Sequence, residues 1–538
     1  MEKAGVNSDF YSGLFNPVLV HEFLTASALK FPDKEAVVFA ETRLTYRELD
    51  EQSDMLASSL MTLGIERHNR IIVFGDNSVE TIISIYAILK AGAVFIIPNG
   101  TIKSNKLQYI IRDSGARLII AQMSKDEIIQ EAFSDPDIGI PVIWFGQKEI
   151  IVHKKDYLWN ELPGASPVQS DSLIKRKSEL IDYDLASLIY TSGSTGEPKG
   201  VMSAHSNIVA AARSIIQYIK NDSSDRILVV LPLSFDYGLY QVIMAFMFGG
   251  TIVLEKSFNF PMDMLKVLQK EKITGFPIVP TILAMLLKLK NLSGYDLGGL
   301  RYISNTGAAL PVEHIKKFRS LFPEVQLFSM FGLTECKRIS YLSPDLIDKK
   351  PGSVGKAIPN CETFIVDERD SVVQTGRIGE LVVRGSNVMR GYWNAEDLTS
   401  KIYRNWKLGG EKVLYTGDLF YEDEDGFLYF VGRKDDMIKS KGERISPKEI
   451  ENILCSMEGV VEAAVIGVPD EILGQSIKAF IVKKMDSGLL QNEVLLYCSK
   501  NMETFMIPKE IEFLDALPKS PNGKVDKKSL KLMDNTTR

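Results

Sequence analysis

The chain has 538 residues, which is too long for a single hydrophobic core and predicts more than one domain. Its hydrophobic content of 45% and charged content of 25% are typical of a globular protein that folds in water. The formal net charge of −6 gives no broad basic surface, which argues against nucleic acid as a partner.

The spacing of the cysteines and the apolar stretches bear on the cellular compartment of the protein. The four cysteines lie far apart and form no C-x-x-C pair, which argues against a disulfide framework or a zinc site and favours a reducing cytoplasm. They are Cys336, Cys361, Cys455 and Cys498. The first residues show no basic region followed by an apolar core, so no signal peptide is predicted. We expect no membrane span, because lysine, glycine or proline interrupts the two most apolar stretches, 82–97 and 276–289.

The first part of the chain predicts parallel β-structure. Thr45 is a plausible helix N-cap, with Glu48 three residues further on. A strand at 70–74, a helix at 79–90 and a strand at 93–97 form a βαβ unit, and such units build parallel sheets. Further strands are predicted at 36–39, 116–121 and 142–145.

In the middle of the chain, several predicted strands end in loops of small residues. A helix is expected at 206–219 and a strand at 226–231, after which residues 234–239 break the pattern before another helix. The strands at 251–254, 301–304 and 325–328 are each followed by such a loop. Ligands of open α/β sheets lie at the carboxyl ends of strands, so 305–309 and 331–335 are expected to face one crevice.

The last third changes character. Short strands at 363–366, 380–383 and 427–431 predict a small β-rich lobe, and the polar run 432–436 follows them. The remaining residues are enough for a small α+β domain, with a helix at 447–457 and a strand at 460–468. The expected domains are therefore residues 1–432 and residues 433–538. The fold class is α/β, with mixed, mainly parallel sheets flanked by helices in the large domain.

One loop organises this arrangement. Residues 191–200, T-S-G-S-T-G-E-P-K-G, follow the buried strand predicted at 186–190. Glycines allow close backbone approach, and successive N–H groups in such a loop form an anion-binding concavity. Lys199 adds a cation, so the loop is interpreted as a polyphosphate clamp, the alternative being a surface linker. The P-loop pattern does not fit, because Pro198 precedes Lys199 and Gly200 follows it.

This loop resembles the signature loop of the adenylate-forming (AMP-binding) superfamily, which includes acyl-CoA synthetases, amino-acid adenylation domains and firefly luciferases. Four more segments resemble its motifs in the same order: M-F-G-L-T-E at 330–335, Y-T-G-D at 415–418, G-R-K-D-D at 432–436 and P-K-S-P-N-G-K at 518–524. The resemblance covers the chain from about residue 30 to about residue 528. It implies a C-terminal domain that rotates between two half-reactions.

The resemblance also implies a reaction. A carboxylic acid attacks the α-phosphate of ATP and gives an acyl adenylate and pyrophosphate, and a thiol then displaces AMP. The implied cofactors are ATP, Mg²⁺ and CoA, or the phosphopantetheine of a separate acyl carrier protein. An acyl-CoA synthetase is the leading hypothesis, and a stand-alone aminoacyl or acyl adenylation enzyme that loads a carrier protein is the alternative. A luciferase-like oxygenase, a non-catalytic nucleotide-binding regulator and a scaffold are less favoured.

Roles for individual residues follow from the matched motifs. Lys524 is expected to bridge the acyl carboxylate and the α-phosphate, although a solvated surface lysine is the alternative on the sequence alone. Thr334 would bind the α-phosphate, and Glu335 would ligate Mg²⁺ or be a solvated loop carboxylate. The expected ATP-binding residues are Thr191, Ser192, Gly193, Ser194, Thr195, Gly196, Lys199, Gly307, Phe331, Gly332, Asp418, Arg433, Lys439 and Arg444.

Several of these positions carry their own interpretation. Asp418 would accept hydrogen bonds from the ribose hydroxyls, or it forms a turn after Gly417. Phe331 stands where the family usually has tyrosine, so the ring remains but the hydroxyl is absent. Asp435 is the expected hinge residue, and Gly442 would let the thiol arm pass close to the backbone.

The acyl pocket is the least determined part of the site. Its expected residues are Phe235, Asp236, Gly238, Asn305, Ala308 and Met330, with Tyr237 and Pro280 beside them. The pair Phe235-Asp236 resembles amino-acid adenylation domains, where the aspartate binds the substrate ammonium, whereas the residues that follow it resemble acyl-CoA ligases. Met330 and Tyr237 have core packing as the alternative. A buried carboxylate at Asp236 needs a partner or water.

Overall fold

The structure is a computed structural model. It describes residues 17–134, 138–146, 156–163, 171–192, 197–258, 260–289, 295, 297–307, 310–406, 410–440, 443–470, 474–484, 487–520 and 523–537. The chain divides into two compact units. The first unit comprises Met1–Asp225, Gly238–Lys256 and Met389–Ala395, and the second unit comprises Arg226–Tyr237, Ser257–Val388 and Glu396–Arg538. Among the described residues, no helix is both long and apolar enough to cross a membrane.

Helices and strands alternate through most of the chain. The α-helices are α1 Val20–Lys30, α2 Tyr46–Thr62, α3 Val79–Lys90, α4 Ser104–Ser114, α5 Asp126–Ala132, α6 Asp171–Ser178, α7 His205–Ile219, α8 Asp236–Phe248, α9 Pro261–Lys270, α10 Pro280–Leu287, α11 Val312–Leu321, α12 Glu396–Ile402, α13 Pro447–Ser456, α14 Gln491–Asn501 and α15 Lys527–Thr537. The strands of the first half are β1 Glu35–Phe39, β2 Thr42–Thr45, β3 Arg70–Phe74, β4 Val94–Ile96, β5 Leu118–Gln122, β6 Val142–Phe145, β7 Tyr157–Leu158, β8 Leu185–Ser192, β9 Pro198–Ala204, β10 Arg226–Val229 and β11 Thr251–Leu254. Those of the second half are β12 Gly275–Ile278, β13 Tyr302–Asn305, β14 Gln326–Phe331, β15 Ser340–Leu342, β16 Lys356–Ala357, β17 Cys361–Val366, β18 Gly379–Gly385, β19 Tyr403–Asn405, β20 Lys412–Glu422, β21 Leu428–Arg433, β22 Ile438–Ser440, β23 Glu443–Ile445, β24 Val460–Asp470, β25 Gly474–Lys483 and β26 Glu510–Leu514.

The first unit contains a sheet in the order β7-β6-β5-β3-β4-β8-β9, parallel up to β8. Its central strands are continuous apolar runs such as Ile71 to Phe74, which are fully buried and are typical of strands covered on both faces. The predicted βαβ unit is therefore confirmed. In the same unit β11 pairs in parallel with β1, and β1 pairs antiparallel with β2.

The helix predicted to begin after Thr45 begins there. The Glu48 carboxylate accepts from the Thr45 N–H at 2.8 Å, and the Thr45 hydroxyl accepts from the Glu48 N–H at 3.3 Å. This reciprocal capping box satisfies two N–H groups that have no partner within the helix.

In the second unit, β10, β12, β13 and β14 are parallel neighbours in that order, and β15 and β16 continue antiparallel. The carboxyl ends of the parallel strands therefore lie along one edge of the sheet. Helix α8 begins earlier than the sequence pattern suggested: Asp236, Tyr237 and Gly238 form its first turn instead of a break before it. An acidic side chain in a first turn complements the helix dipole, which accounts for this start.

The β-rich lobe pairs β17, β18, β20 and β19 in that order, with β21 against β20. The pattern did not predict β20, because the sequence Thr416-Gly417-Asp418 resembles a turn. The strand passes through Gly417 at φ +71° and its register shifts beyond Leu419, so a local irregularity accommodates the glycine.

The C-terminal residues form an α+β arrangement, as predicted. The sheet order is β23-β22-β25-β24 with β26 beside β25. Side chains alternate along β24: Val465 joins a core with Ile450 and Val494 of α13 and α14, whereas Ile466 joins another core with Leu530 of α15. This period of two places helices on both faces of the sheet. The predicted α/β fold class is confirmed by this architecture.

A buried charge network in the first unit offers a stability test. The Lys90 side chain is fully buried, and its Nζ lies 2.6 Å from Asp50 Oδ1 and 2.8 Å from Asp54 Oδ1. Lys90→Met removes the cation that both carboxylates share, while Lys177 Nζ remains 2.7 Å from Asp54 Oδ1. We expect a loss of about 3–5 kcal/mol in the free energy of unfolding, measured by urea denaturation.

The matched control is Lys266→Met, which breaks an exposed pair with Asp263 and should leave the unfolding midpoint unchanged. Equal midpoints for both variants would contradict a stabilising role for the buried network.

Candidate functional site

A cavity of about 440 Å³ lies in the second unit, and seven of the predicted site residues line it: Gly307, Met330, Phe331, Gly332, Asp418, Arg433 and Lys524. Gly307 comes from the loop after β13, and Met330, Phe331 and Gly332 come from the end of β14. The β-rich lobe contributes Asp418 and Arg433, and the C-terminal region contributes Gly523 and Lys524. Two loops that were expected to face one crevice, after β13 and after β14, therefore do so.

Glycine is required at two positions, at 307 by a positive φ and at 332 by the close approach of backbone atoms. Gly307 has φ +90°, and a Cβ there would lie 3.5 Å from Lys524 Cε. A Cβ on Gly332 would lie 2.1 Å from the backbone oxygen of Lys337, which no side chain can tolerate. Glycine at these positions keeps the strand ends open to a ligand and lets the chain fold back behind them.

An aromatic wall borders the cavity. The Phe331 ring lies 5.0 Å from the Phe420 ring and 6.0 Å from the Phe430 ring, between ring centroids. Phe331 and Phe430 both line the cavity. The flat, apolar face of such a cluster suits a planar heterocycle, and the hydroxyl that a tyrosine would add is not needed to build it.

Asp418 and Arg433 are opposite each other on β20 and β21. Arg433 Nε lies 3.0 Å from Asp418 Oδ1, and the aspartate side chain is 1% exposed while the arginine is half-exposed. This contact is an ion pair whose N–H is not aligned with the oxygen, so Oδ1 has no hydrogen-bond donor in the described part of the chain. Burial, with a smaller contribution from the charge of Glu335, raises the pKa of Asp418 to about 7, while Arg433 and Lys524 act to lower it.

A tight turn holds Lys524. The Ser520 N–H donates to the Lys524 carbonyl at 2.7 Å, and the Lys524 N–H donates to the Ser520 hydroxyl at 3.3 Å. Lys519 and Val525 form an antiparallel bridge across the same turn. The exposed Lys524 side chain lines the cavity, and its charge acts on Asp418, so a cation is available where an anionic ligand would lie.

Thr334 and Glu335 follow β14 directly, and both are half-buried. The backbone turns here, because the N–H groups of Cys336 and Lys337 both donate to the Leu333 carbonyl. Glu335 supplies one hard carboxylate near the cavity. Among the described residues no group of three or more histidine, cysteine, aspartate or glutamate side chains could hold a metal ion. A single carboxylate such as Glu335 suits a magnesium ion, which proteins commonly hold with one or two carboxylates and with phosphate oxygens of the substrate.

The predicted acyl-pocket residues surround the start of α8. Phe235 is buried, and its ring is edge-on to Tyr237 with centroids 6.2 Å apart. Asn305 is fully buried at the end of β13, and Met330 is buried at the cavity wall. Gly238 is buried within α8. Ala308 lies outside the described residues.

Asp236 has a partner that the sequence did not indicate. Lys337 Nζ lies 3.5 Å from Asp236 Oδ2, and the lysine side chain is 4% exposed. Burial lowers the pKa of Lys337, while the charge of Asp236 counteracts the shift. The carboxylate is therefore already offset by a cation of the protein itself.

In the first unit, the loop 191–200 is shorter than predicted. Strand β8 continues through Thr191 and Ser192, and β9 resumes at Pro198, so Lys199 lies in a strand and pairs with Thr191. Lys199 Nζ is 5.9 Å from the centroid of the Tyr392 ring. Gly193, Ser194, Thr195 and Gly196 lie outside the described residues. The phosphate clamp remains a prediction.

The segment predicted to serve the second half-reaction follows β21. Asp435 is exposed in the turn before β22. Lys439 lies in β22 and Arg444 in β23, opposite each other across an antiparallel pair. Gly442 lies outside the described residues.

The prediction missed Lys337, Arg338 and Phe430. The two basic residues follow the T-E of the 330–335 motif after one intervening residue, Cys336, and precede β15. Two cations at the start of a buried strand are a signal that could have identified them.

Comparison with known proteins now identifies the family. The model of the AMP-binding enzyme family matches residues 24–393, and that of the AMP-binding enzyme C-terminal domain matches residues 449–524. The chain belongs to the AMP-binding enzyme family. It is an enzyme, a ligase of the AMP-forming acyl-CoA synthetase type.

Relatives and solved structures agree with this assignment. The chain is 31% identical to the long-chain-fatty-acid–CoA ligase of Bacillus subtilis (strain 168), over 95% of this chain and 94% of that protein. It is 29% identical to tyrocidine synthase 1 of Brevibacillus parabrevis, over 95% of this chain but only 44% of that protein. ATP-bound MatB from Rhodopseudomonas palustris superposes with a TM-score of 0.83 at 25% identity, over 96% of this chain and 99% of that one. MenE from Bacillus subtilis, in complex with ATP and a magnesium ion, superposes with a TM-score of 0.81 at 28% identity, over 95% of this chain and 99% of that one.

The raised pKa of Asp418 gives a test of stability. The carboxyl has a pKa near 4 when unfolded and about 7 when folded. The folded protein therefore binds more protons between these values, and the aspartate lowers stability increasingly as pH rises from about 4 to 7. Asp418→Asn cannot ionise. We expect its free energy of unfolding to exceed that of the wild type by roughly 1–4 kcal/mol at pH 8, with little difference at pH 4.

Chemical denaturation across pH 4 to 8 measures this difference. A difference in the free energy of unfolding between the variant and the wild type that does not change with pH would contradict the raised pKa of Asp418.

Proposed function

We propose that the protein activates a carboxylic acid as an acyl adenylate with ATP and transfers the acyl group to a thiol, with CoA as the favoured acceptor. The observation that carries this proposal is that Lys524, Asp418 and the ends of β13 and β14 line one cavity. The alternative is a stand-alone adenylation enzyme that loads the phosphopantetheine of a separate carrier protein.

The first half-reaction must overcome charge repulsion. A carboxylate and a phosphate about 4 Å apart repel by roughly 4 kcal/mol at an effective dielectric constant near 20. Lys524 offsets this repulsion by lying between the two anions and stabilises the charge that develops on the α-phosphate. Thr334 donates its hydroxyl to the same phosphate. Glu335 would be a ligand of Mg²⁺, which would neutralise negative charge on the pyrophosphate leaving group.

Nucleotide recognition uses the aromatic wall and the buried carboxylate. The adenine stacks on Phe331, and the ribose hydroxyls donate to Asp418, whose Oδ1 has no donor of its own among the described residues. Arg433 acts to lower the pKa of this buried carboxylate, which favours its ionised form, and contacts the ribose. The loop 191–200, with Lys199, holds the β- and γ-phosphates.

The second half-reaction uses the segment after β21. The C-terminal domain, residues 433–538, rotates about Asp435 and brings Lys439, Gly442 and Arg444 to the nucleotide, with Gly442 beside the entering thiol arm. The exposure of Asp435 in a turn supports its role as a hinge. A cytoplasmic location, where ATP and CoA are available, suits this reaction.

The charge balance near α8 supports an acyl substrate over an amino acid. An aspartate that binds a substrate ammonium must be free to do so, whereas Lys337 already pairs with Asp236. A substrate ammonium would meet Lys337 and Arg338, both buried, and would be repelled. The name of the Bacillus subtilis relative, a long-chain-fatty-acid–CoA ligase, also favours an acyl substrate.

Removing the proposed catalytic cation tests the first half-reaction. Lys524→Gln keeps a polar side chain but removes the charge that stabilises the transition state. We expect acid-dependent ATP–pyrophosphate exchange to fall at least about 100-fold in kcat.

Lys531→Gln is the matched control, because Lys531 is an exposed lysine on α15 in the same region. It should exchange at the wild-type rate. A Lys524 variant as active as this control would rule out the proposed role.

A substrate panel separates the two acceptors and the two acid classes. We expect carboxylic acids without an amino group to drive exchange and amino acids not to drive it, because Asp236 already forms an ion pair with Lys337. Adding CoA should release AMP and form the thioester, which chromatography detects. Exchange driven only by amino acids would overturn the acyl assignment, and AMP release only with a carrier protein would favour the alternative acceptor.

A further inference from the structure

Among the described residues, one buried cation beside the acyl pocket has no counter-charge. Arg338 is 4% exposed, yet its Nε and Nη1 atoms are buried without a hydrogen-bond partner among the residues that the structure describes. Its guanidinium lies 5.2 Å from the centroid of the Tyr237 ring, which is the contact that holds it. Burying charged donors without acceptors is costly, so the unmatched Nε and Nη1 donors of Arg338 indicate a ligand that completes them.

The neighbouring charges have other roles. Asp236 pairs with Lys337, the residue before Arg338. Glu335 acts electrostatically on Lys337 and is assigned to magnesium in the proposed mechanism. In the described part of the chain, no carboxylate forms an ion pair with Arg338. The two alanines at 308 and 309, which follow Gly307, carry no charge either.

Contacts connect Arg338 to the reacting end of the pocket. The guanidinium faces Tyr237, whose hydroxyl donates to the Ser304 carbonyl of β13 at 2.8 Å and lies within hydrogen-bond distance, 2.7 Å, of the Ser304 hydroxyl. The Tyr237 ring packs edge-on against Phe235. The Phe235 ring and the Lys524 side chain both lie beside Gly307: a Cβ on that glycine would be 3.8 Å from Phe235 Cζ and 3.5 Å from Lys524 Cε. Lys524 and Arg338 thus mark two ends of one series of contacts, with aromatic side chains between them.

We propose that Arg338 binds a second acidic group of the substrate, so that the enzyme activates one carboxylate of an acid that carries another at its far end. This inference rests on the proposed adenylation function and defines its substrate class. One carboxylate reacts beside Lys524, an apolar segment passes Phe235 and Tyr237, and the distal carboxylate accepts from the Nε and Nη1 donors of Arg338. A buried arginine with an anion as partner forms strong charge-assisted hydrogen bonds.

Matched substrates test the proposal directly. A series of α,ω-dicarboxylic acids and their monomethyl esters, equal in length and differing in the distal charge, is assayed by ATP–pyrophosphate exchange with the wild-type enzyme. At the preferred length we expect kcat/KM for the diacid to exceed that for the monoester about 100-fold, because the ester cannot supply the anion. Equal values across the series, or a preference for the esters, would overturn the proposal.

Variants of Arg338 provide a second test of the proposal. Arg338→Met should lower kcat/KM for the diacid about 100-fold and leave the monoester unchanged or better, and Arg338→Lys should restore part of the diacid activity. Exchange with the monoester reports that each variant is folded and binds ATP. A loss of the same size with both substrates would show a structural role only and would overturn the proposal.

Arg301→Gln is the control, since this arginine also lies over a tyrosine, Tyr302, with its guanidinium 4.8 Å from the ring centroid, but at the opposite end of β13. It should not change the ratio of the two substrates. If no acid drives exchange with the wild type, the adenylation function itself fails. If acids drive exchange without preference for the distal charge, only the assignment of Arg338 fails.

Discussion

Repulsion between a carboxylate and a triphosphate is the constraint on which the rest of this site depends. Two anions must meet in a partly buried cavity, where water screens charge less than at the surface. In the proposed mechanism Lys524 offsets this repulsion. The structure places this lysine at the cavity, on a turn that Ser520 closes by hydrogen bonds. Burial raises the pKa of Asp418 in this cavity, and the adjacent Arg433 acts in the opposite direction.

The sheet provides the fixed part of the site. Parallel strands end along one edge, so the residues after β13 and at the end of β14 reach the same cavity without long connections. Glycine at 332 allows Lys337 and Arg338 to pass close behind that edge. Two cations thus lie next to the first turn of α8, where Asp236 offsets one of them. This balance of buried charges distinguishes the acyl end of the pocket from the nucleotide end.

Much of the fold could be predicted because it depends on local apolar pattern. Residues 79–90 and 142–145 were predicted with the bounds that the structure has. Both segments are predominantly apolar, and Gly92 follows the first while Pro141 and Gly146 bound the second. Strand β20 was missed because Gly417 and Asp418 resemble a turn locally, whereas pairing with β18 and β21 keeps them extended. The loop 191–200 was predicted too long for the same reason, because pairing extends β8 and β9 into it.

The same distinction between local pattern and tertiary contact applies to the residues of the site. Cavity residues such as Gly307, Phe331 and Lys524 could be identified by motif, since each motif is contiguous in the sequence. The pairing of Asp236 with Lys337 and the contact of Arg338 with Tyr237 join residues far apart in the sequence, so no local pattern reveals them. Electrostatic partners across such distances are set by tertiary packing.

A crystal structure with bound ATP and magnesium tests the central claim most directly. The account predicts the adenine against Phe331, the ribose hydroxyls on Asp418, and Lys524 Nζ within about 3 Å of an α-phosphate oxygen. Nucleotide bound at another place in the chain, or a Lys524 side chain directed into solvent with the nucleotide in the cavity, would contradict it.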